Sequence, residues 1–267
     1  MDNIQPLKKF GQNYLKDRNI VNKIIKEISP EPEDFIIEIG PGLGVLTREL
    51  YNINRNLTAI EIDKRVIEHL KNTLPELNLV NADFLDFELN SLIHHSNTKL
   101  RIVGNIPYNL TAPIIFKLIN SNRIIKDAVF MVQFEVAKRM TAKKRSKDYG
   151  IFSILLNYFA DVKLCFNVSP NVFYPKPKVY STVVHISFKK DLIDPIFNSF
   201  FIKVIKASFG NRRKTLKNSL NNSIFGQLNF EECGIDLSLR AEQLEINDFI
   251  VLTKFIMDKQ KELPIND

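Results

Sequence analysis

The run Glu38-Ile39-Gly40-Pro41-Gly42-Leu43-Gly44 places three of the chain's nine glycines within five residues. In a chain this poor in glycine, such a cluster marks a backbone that must turn tightly or let a ligand come close. It lies between an apolar run, 35–39, and a helical pattern, the strand-to-helix junction at which open α/β sheets bind nucleotides. Glu61 closes the next apolar run and Asp83 follows the one after it. An acid at the second strand end can accept both ribose hydroxyls of a nucleoside, and one at the third can face an adenine amino group. The glycine spacing departs from the dinucleotide fingerprint and suits a nucleoside ligand without a pyrophosphate, such as S-adenosylmethionine. A sharp turn with no ligand would explain the glycines alone, but not the two acids at successive strand ends.

A second constellation, Asn105-Ile106-Pro107-Tyr108, follows the apolar run 100–105 and so falls at the same sheet edge. It resembles the (Asp/Asn)-Pro-Pro-Tyr tetrad of methyltransferases that modify exocyclic amino nitrogens. The lone pair of adenine N6 is delocalised into the ring, which makes N6 a poor nucleophile. The amide oxygen of Asn105 and the backbone carbonyl of Ile106 or Pro107 can accept the two N6 hydrogens and favour a pyramidal nitrogen. Tyr108 can stack on the base, as enzymes that act on an extruded base require. Catalysis would then be positioning and electrostatics rather than the action of a strong base.

These residues need a scaffold, and the hydrophobic pattern supplies one. Asp17 can cap a helix with apolar positions Ile20, Val21, Ile24, Ile25 and Ile28. Apolar runs at 35–39, 57–62, 77–80, 100–105 and 128–134 alternate with helical patterns, which predicts a parallel sheet covered by helices on both faces. The runs 162–168 and 181–188 are separated only by a Pro-rich loop and predict an antiparallel pair at the sheet edge. Beyond residue 191 the pattern is helical, over 195–208, 212–221 and 248–259. The boundary is therefore placed at 190, between a ligand-binding catalytic domain, 1–190, and a helical domain, 191–267.

Composition sets the outer limits. Hydrophobic residues make up 45% and charged residues 25%, which excludes a disordered chain or a coiled-coil rod. Cys165 and Cys233 form no CxxC pair, so no structural zinc is expected, and no metal at all. Two lone thiols suit a reducing compartment. The start, MDNIQPLKKF, has no apolar stretch of secretory type, and the longest apolar runs are too short for a bilayer, so a cytoplasmic protein and a monomer are expected. A net charge of +7 favours a polyanionic partner, most often nucleic acid. Lys138, Arg139, Lys143, Lys144, Arg145 and Lys147 are read as a loop, either solvated or set against phosphates. Arg212, Arg213 and Lys214 open the expected helix 212–221, where like charge is unfavourable unless an anion sits there. Phe173, in a rigid Pro-flanked loop, is read as a base-stacking aromatic opposite Tyr108. His94 and His95 are placed in a surface loop and Cys165 in the core of a strand, while His69 and His185 have no triad partners in sequence.

Taken together these segments resemble the bacterial small-subunit ribosomal RNA adenine dimethyltransferases, a branch of the rRNA adenine N6-dimethyltransferase family, over essentially the whole chain. Lys9-Phe10-Gly11-Gln12-Asn13-Tyr14-Leu15 looks like the family's cofactor-covering N-terminal motif. The resemblance implies cofactor contacts at Asn13, Leu15, Gly40, Gly42, Glu61, Asp83 and Asn105. Phe173-Tyr174-Pro175-Lys176-Pro177-Lys178-Val179-Tyr180-Ser181 resembles the loop that lines the target-base pocket, which adds Phe173, Lys176 and Lys178 as RNA contacts. The segment 209–218 resembles the family's basic segment, with Arg212, Arg213 and Lys214. The implied fold is the class I S-adenosylmethionine-dependent methyltransferase sheet, Rossmann-like with seven mostly parallel strands, plus a small C-terminal all-helical domain. The implied activity is dimethylation of N6 on two adjacent adenosines in the loop of the 3′-terminal hairpin of 16S rRNA, late in small-subunit biogenesis. Alternatives on the same fold are a resistance-type enzyme acting on 23S rRNA, a DNA adenine methyltransferase, and a non-catalytic assembly factor.

Overall fold

A computed structural model describes residues 4–7, 10–93, 99–190, 192, 194–211 and 213–262. Contacts between backbone positions divide the chain into two compact units, 1–137 with 160–188, and 138–159 with 189–267.

The first unit holds, in chain order, β1 (Tyr14–Leu15), α1 (Arg18–Ile28), β2 (Phe35–Ile39), α2 (Val45–Ile53), β3 (Leu57–Glu61), α3 (Lys64–Thr73), β4 (Asn78–Asn81), β5 (Leu100–Asn105), α4 (Thr111–Asn120) and β6 (Ile125–Gln133). The helix α5 (Phe134–Met140) crosses into the second unit, which also holds α6 (Ile151–Phe159). The chain then returns to the first unit for β7 (Ala160–Val168), β8 (Phe173–Tyr174) and β9 (Ser181–Phe188). Finally α7 (Pro195–Ser208), α8 (Leu216–Asn221) and α9 (Ile246–Glu262) complete the second unit.

Seven strands form one sheet in the order β4-β3-β2-β5-β6-β9-β7. The ladders from β4 to β6 are parallel, and β9 lies antiparallel to both β6 and β7, as the short Pro-rich connection requires. The chain winds outward from β2 to β4 and then restarts on the other side of β2 with β5. The carboxyl ends of β2 and β5 therefore flank the point where strand order reverses, the position at which open α/β sheets leave a crevice. Ile39 pairs with Gly104 there, so Gly40 lies beside Asn105, the last residue of β5, which still pairs with Met131 of β6. A second, two-stranded sheet joins β1 to β8, with Tyr14 opposite Tyr174 and Leu15 opposite Phe173.

At the other end of the strands lies a buried ionic group. The Arg101 guanidinium donates to both carboxylate oxygens of Asp127 at 2.8 and 2.7 Å, to Asp34 at 2.6 Å and to the Ile28 carbonyl at 2.7 Å. His185 on β9 meets Asp127 at 2.9 Å and Glu27 of α1 at 3.3 Å. This accounts for His185 without any catalytic role.

In the second unit Tyr158 of α6 stacks on Phe201 of α7 at 4.1 Å and donates its hydroxyl to Asn198 at 2.8 Å. The Tyr149 hydroxyl donates to the Leu244 carbonyl at 2.9 Å. Segment 138–159 thus packs with the C-terminal helices, and the expected single cut at 190 gives way to a unit built from two stretches of chain. Three local expectations also change. Lys138 and Arg139 are helical, Arg139 lies over the Phe152 ring, and Lys144 pairs with Glu245 at 2.6 Å, so the basic run is not one free loop. The last short helix begins at Leu216 because the Thr215 hydroxyl caps it, which leaves Arg213 and Lys214 in the turn before it. Cys165 is only half-buried, on the outermost strand. Lys9, His94, His95 and Arg212 lie outside the described residues. No described helix is long and apolar enough to cross a membrane.

Candidate active site

The reversal point opens into a cavity of about 330 Å³, walled by segments 10–15, 38–46, 60–62, 82–85 and 104–110. Asn13, Leu15, Gly40, Gly42, Glu61, Asp83 and the tetrad Asn105–Tyr108 all line it, so residues spread over the first 108 positions converge on one cavity.

The glycine loop works through its backbone. Gly40 and Gly42 have φ of 63° and 55°, values that a side chain tolerates poorly. A Cβ at Gly40 would meet no atom within 4 Å, so the backbone lies bare on the cavity wall, open to a ligand. At Gly42 the Tyr14 ring would stand 3.0 Å from a Cβ, so here glycine admits the N-terminal segment over the loop.

Glu61, 6% exposed, accepts the Asp63 amide at 2.8 Å through one carboxylate oxygen. Burial raises its pKa against the pull of that amide, and the Asp63 charge raises it further. Asp83 accepts the Leu85 amide at 2.8 Å. Ile62 and Phe84 each follow one of these acids and line the same cavity, which gives the apolar surfaces an adenine ring needs. Glu38 is fully buried, and burial above all, with the Glu61 charge, pushes its carboxyl up to about 8. Its Oε2 and the Tyr14 hydroxyl are buried without a partner on the cavity wall. Buried polar atoms of this kind are normally satisfied, and a polar ligand can do so here. The bare Gly40 backbone, the two strand-end acids, the apolar residues beside them and these two orphaned atoms fit S-adenosylmethionine.

The tetrad is fixed from two sides. Asn105 donates its side-chain amide to the Asn13 carbonyl at 2.8 Å, which leaves its oxygen as a free acceptor. The Tyr108 hydroxyl shares a hydrogen bond of 3.0 Å with Ser181, a fully buried residue at the start of β9. Pro107 opens a 3-10 turn and accepts the Leu110 amide at 3.0 Å.

The target-base loop is arranged differently from expectation. Phe173 is 5% exposed and packs in the hydrophobic core beside Leu15, Val168 and Val183, away from the cavity wall. Its pairing with Leu15 across the β1–β8 ladder turns it inward. Tyr174 and Tyr180 are the exposed aromatics of the loop, and the Lys16 ammonium lies 4.3 Å from the Tyr174 ring centre. Lys176 and Lys178 line a separate, shallow depression with Asn171 and Tyr180. Gln12, Tyr14, Ile62, Phe84 and Ser181 are site residues that sequence reasoning did not single out. The apolar residue directly after each strand-end acid was a readable signal for two of them.

The profile of the ribosomal RNA adenine dimethylases matches residues 4–258. The ribosomal RNA small subunit methyltransferase A of Francisella tularensis subsp. novicida is 39% identical over 255 residues, covering 93% of this chain and 97% of its own. A dimethyladenosine transferase from Plasmodium falciparum has a similar structure, with a TM-score of 0.77 at 26% identity over 92% of this chain and 98% of that one. The 23S rRNA methyltransferase ErmE shares the fold, with a TM-score of 0.66 at 24% identity over 91% and 99% of the two chains. The fold is that of S-adenosylmethionine-dependent methyltransferases, and the chain belongs to the ribosomal RNA adenine dimethylase family.

Proposed function

We propose that the protein uses S-adenosylmethionine to dimethylate N6 of two adjacent adenosines in the loop of the 3′-terminal hairpin of 16S rRNA. It would act in the cytoplasm, as a monomer, during late small-subunit biogenesis. The observation that carries the chemistry is the Asn105 amide, which lines the cavity and is anchored through its nitrogen, leaving the oxygen to accept. The relatives named for the small subunit, at 39% identity over nearly their full length, favour that subunit over the large one.

S-adenosylmethionine, when bound, supplies an electrophilic methyl group. Glu61 would accept the ribose hydroxyls, Asp83 the adenine amino group, and the bare backbone at Gly40 would let the ligand lie close. On the target base, the Asn105 oxygen accepts one N6 hydrogen. The Ile106 carbonyl is the better second acceptor, because the Pro107 carbonyl already serves Leu110. With both hydrogens held, the nitrogen lone pair points away from the ring plane. Tyr108 packs against the base. The proton lost from N6 passes to water, since neither an amide nor a carbonyl retains it. Lys176, Lys178, Arg212, Arg213 and Lys214 would meet phosphates, while Phe173, buried in the core, would not touch the base.

The test is methyl transfer to unmethylated small subunits and, in parallel, to large-subunit RNA, with products mapped by mass spectrometry. Dimethyladenosine at two adjacent positions of the 3′-terminal small-subunit hairpin is expected. Dimethyladenosine in large-subunit RNA alone would overturn the choice of subunit, and no transfer to either would overturn the activity.

A further inference from the structure

The segment 10–15 covers the cavity and its last two residues are held by the β1–β8 ladder, helped by the Lys16 amide on the Val172 carbonyl at 2.9 Å. Ahead of that ladder the segment reaches the opposite wall through one side chain with two working ends. Gln12 donates through Nε2 to Asp63 Oδ2 at 3.2 Å and accepts the Leu7 amide through Oε1 at 2.8 Å. Asp63 is not a passive acceptor, because its own amide holds the Glu61 carboxylate at 2.8 Å. The residue after Gln12 supplies the carbonyl that anchors the Asn105 amide. A single dipeptide, Gln12-Asn13, therefore reaches the acid that would hold the cofactor ribose through Asp63, and touches the amide that would hold the target nitrogen directly.

We propose that Gln12 is a positioning residue. Its side chain pins the covering segment to the Glu61–Asp63 loop and thereby sets the Asn13 carbonyl that orients Asn105. The inference deepens the function proposed above and rests on it for the roles of Glu61 and Asn105. Glutamine suits the position because its amide accepts from a backbone N–H through one atom and donates to a carboxylate through the other. The charged and titratable groups around this bond are Asp63, Arg65, Glu61 and Tyr14. Arg65 above all keeps Asp63 ionised, so the acceptor stays constant over the neutral range.

Three measurements on the full-length protein test this. In cofactor-free protein, Gln12→Ala should speed amide exchange over residues 10–13 while leaving β2 and β5 at wild-type rates. Calorimetric titration with S-adenosylmethionine should show affinity weakened about tenfold, the scale of one hydrogen bond to a charged group. At saturating S-adenosylmethionine, kcat on unmethylated small subunits should remain severalfold reduced, since the Asn13 carbonyl that orients Asn105 is no longer held in place. Gln12→Glu supplies a pH signature. It sets a second carboxylate against Asp63, and protonation of the new side chain restores a donor. Its affinity relative to wild type should therefore recover on going from about pH 8 to about pH 5.5. Wild-type exchange and wild-type affinity in Gln12→Ala would overturn the proposal, as would a Gln12→Glu ratio that ignores pH. Wild-type kcat at saturation would overturn the link to Asn105. If the wild-type protein failed to bind S-adenosylmethionine, the proposed function would fail, and the exchange comparison would still decide the role of Gln12.

Discussion

The side-chain nitrogen of Asn105 donates to the backbone carbonyl of Asn13 at 2.8 Å, across 92 residues of chain. A carbonyl can only accept, so the partner at 105 must present a donor on that side and an acceptor on the other. Asparagine meets both conditions, whereas aspartate would set oxygen against oxygen. Asn105→Asp should therefore reduce kcat by about 10²–10³, the scale of losing an oriented active-site dipole. Asn105→Ala should abolish methylation and leave RNA binding intact, measured by transfer assays beside filter binding. An Asn105→Asp enzyme of wild-type kcat would refute this account of the tetrad.

The bond between Tyr108 and Ser181 fixes the plane of the ring proposed to pack on the base. Ser181→Ala should raise KM for the RNA substrate a few-fold with a smaller change in kcat, and Tyr108→Phe should do the same. Because both remove one interaction, the double variant should cost little more than either alone. Steady-state kinetics of the three variants make the comparison, and additive effects would show that the bond has no such role.

Glu38 has a folded-state pKa near 8, well above the ordinary value of 4.5. A carboxyl raised on folding costs stability progressively between its unfolded and folded pKa. Glu38→Gln keeps the shape and removes the charge. The variant should be as stable as wild type near pH 4.5 and more stable by a few kcal/mol, about 2–4, at and above pH 8. Urea denaturation across this range tests the sign, and a constant difference with pH would contradict it.

At the far end of the strands, Arg101 neutralises Asp34 and Asp127 in a buried setting. Arg101→Met leaves Asp34 with only the half-exposed Lys126 and Asp127 with only His185, and should cost about 3–5 kcal/mol. His185 has its pKa raised, chiefly by the hydrogen bond to Asp127 and against the effect of burial. Its contribution is complete below the unfolded value of about 6.5 and is lost as pH rises through the higher folded value. His185→Gln should accordingly destabilise the protein more at about pH 6 than at about pH 9, as read by chemical denaturation.

Features set by local pattern were legible in the sequence, and those set by contacts between distant residues were not. Gly40, Glu61, Asp83 and Asn105 each sit at the end of an apolar run, so their shared edge follows from local pattern and the rules of parallel sheets. The bond from Gln12 to Asp63 spans 51 residues and has no local trace. Phe173 reads as a loop aromatic beside two prolines, yet its ladder with Leu15 buries it. Arg213 and Lys214 read as the opening turn of a helix until the Thr215 cap is seen. Segment 151–159 is apolar on nearly every side, so periodicity could not say which unit it joins.

The order in which the strands are made has a consequence for synthesis. The chain completes β6, nine residues long, before the excursion through 138–159, and β6 gains its second neighbour only with β9, the last strand of the sheet. On the ribosome the nascent sheet therefore carries a long, apolar, unpaired border until residue 188 has emerged. Such a border is a template for pairing with other chains. A product truncated at residue 137 should aggregate, and newly made chains should depend on chaperones most strongly in the interval between β6 and β9.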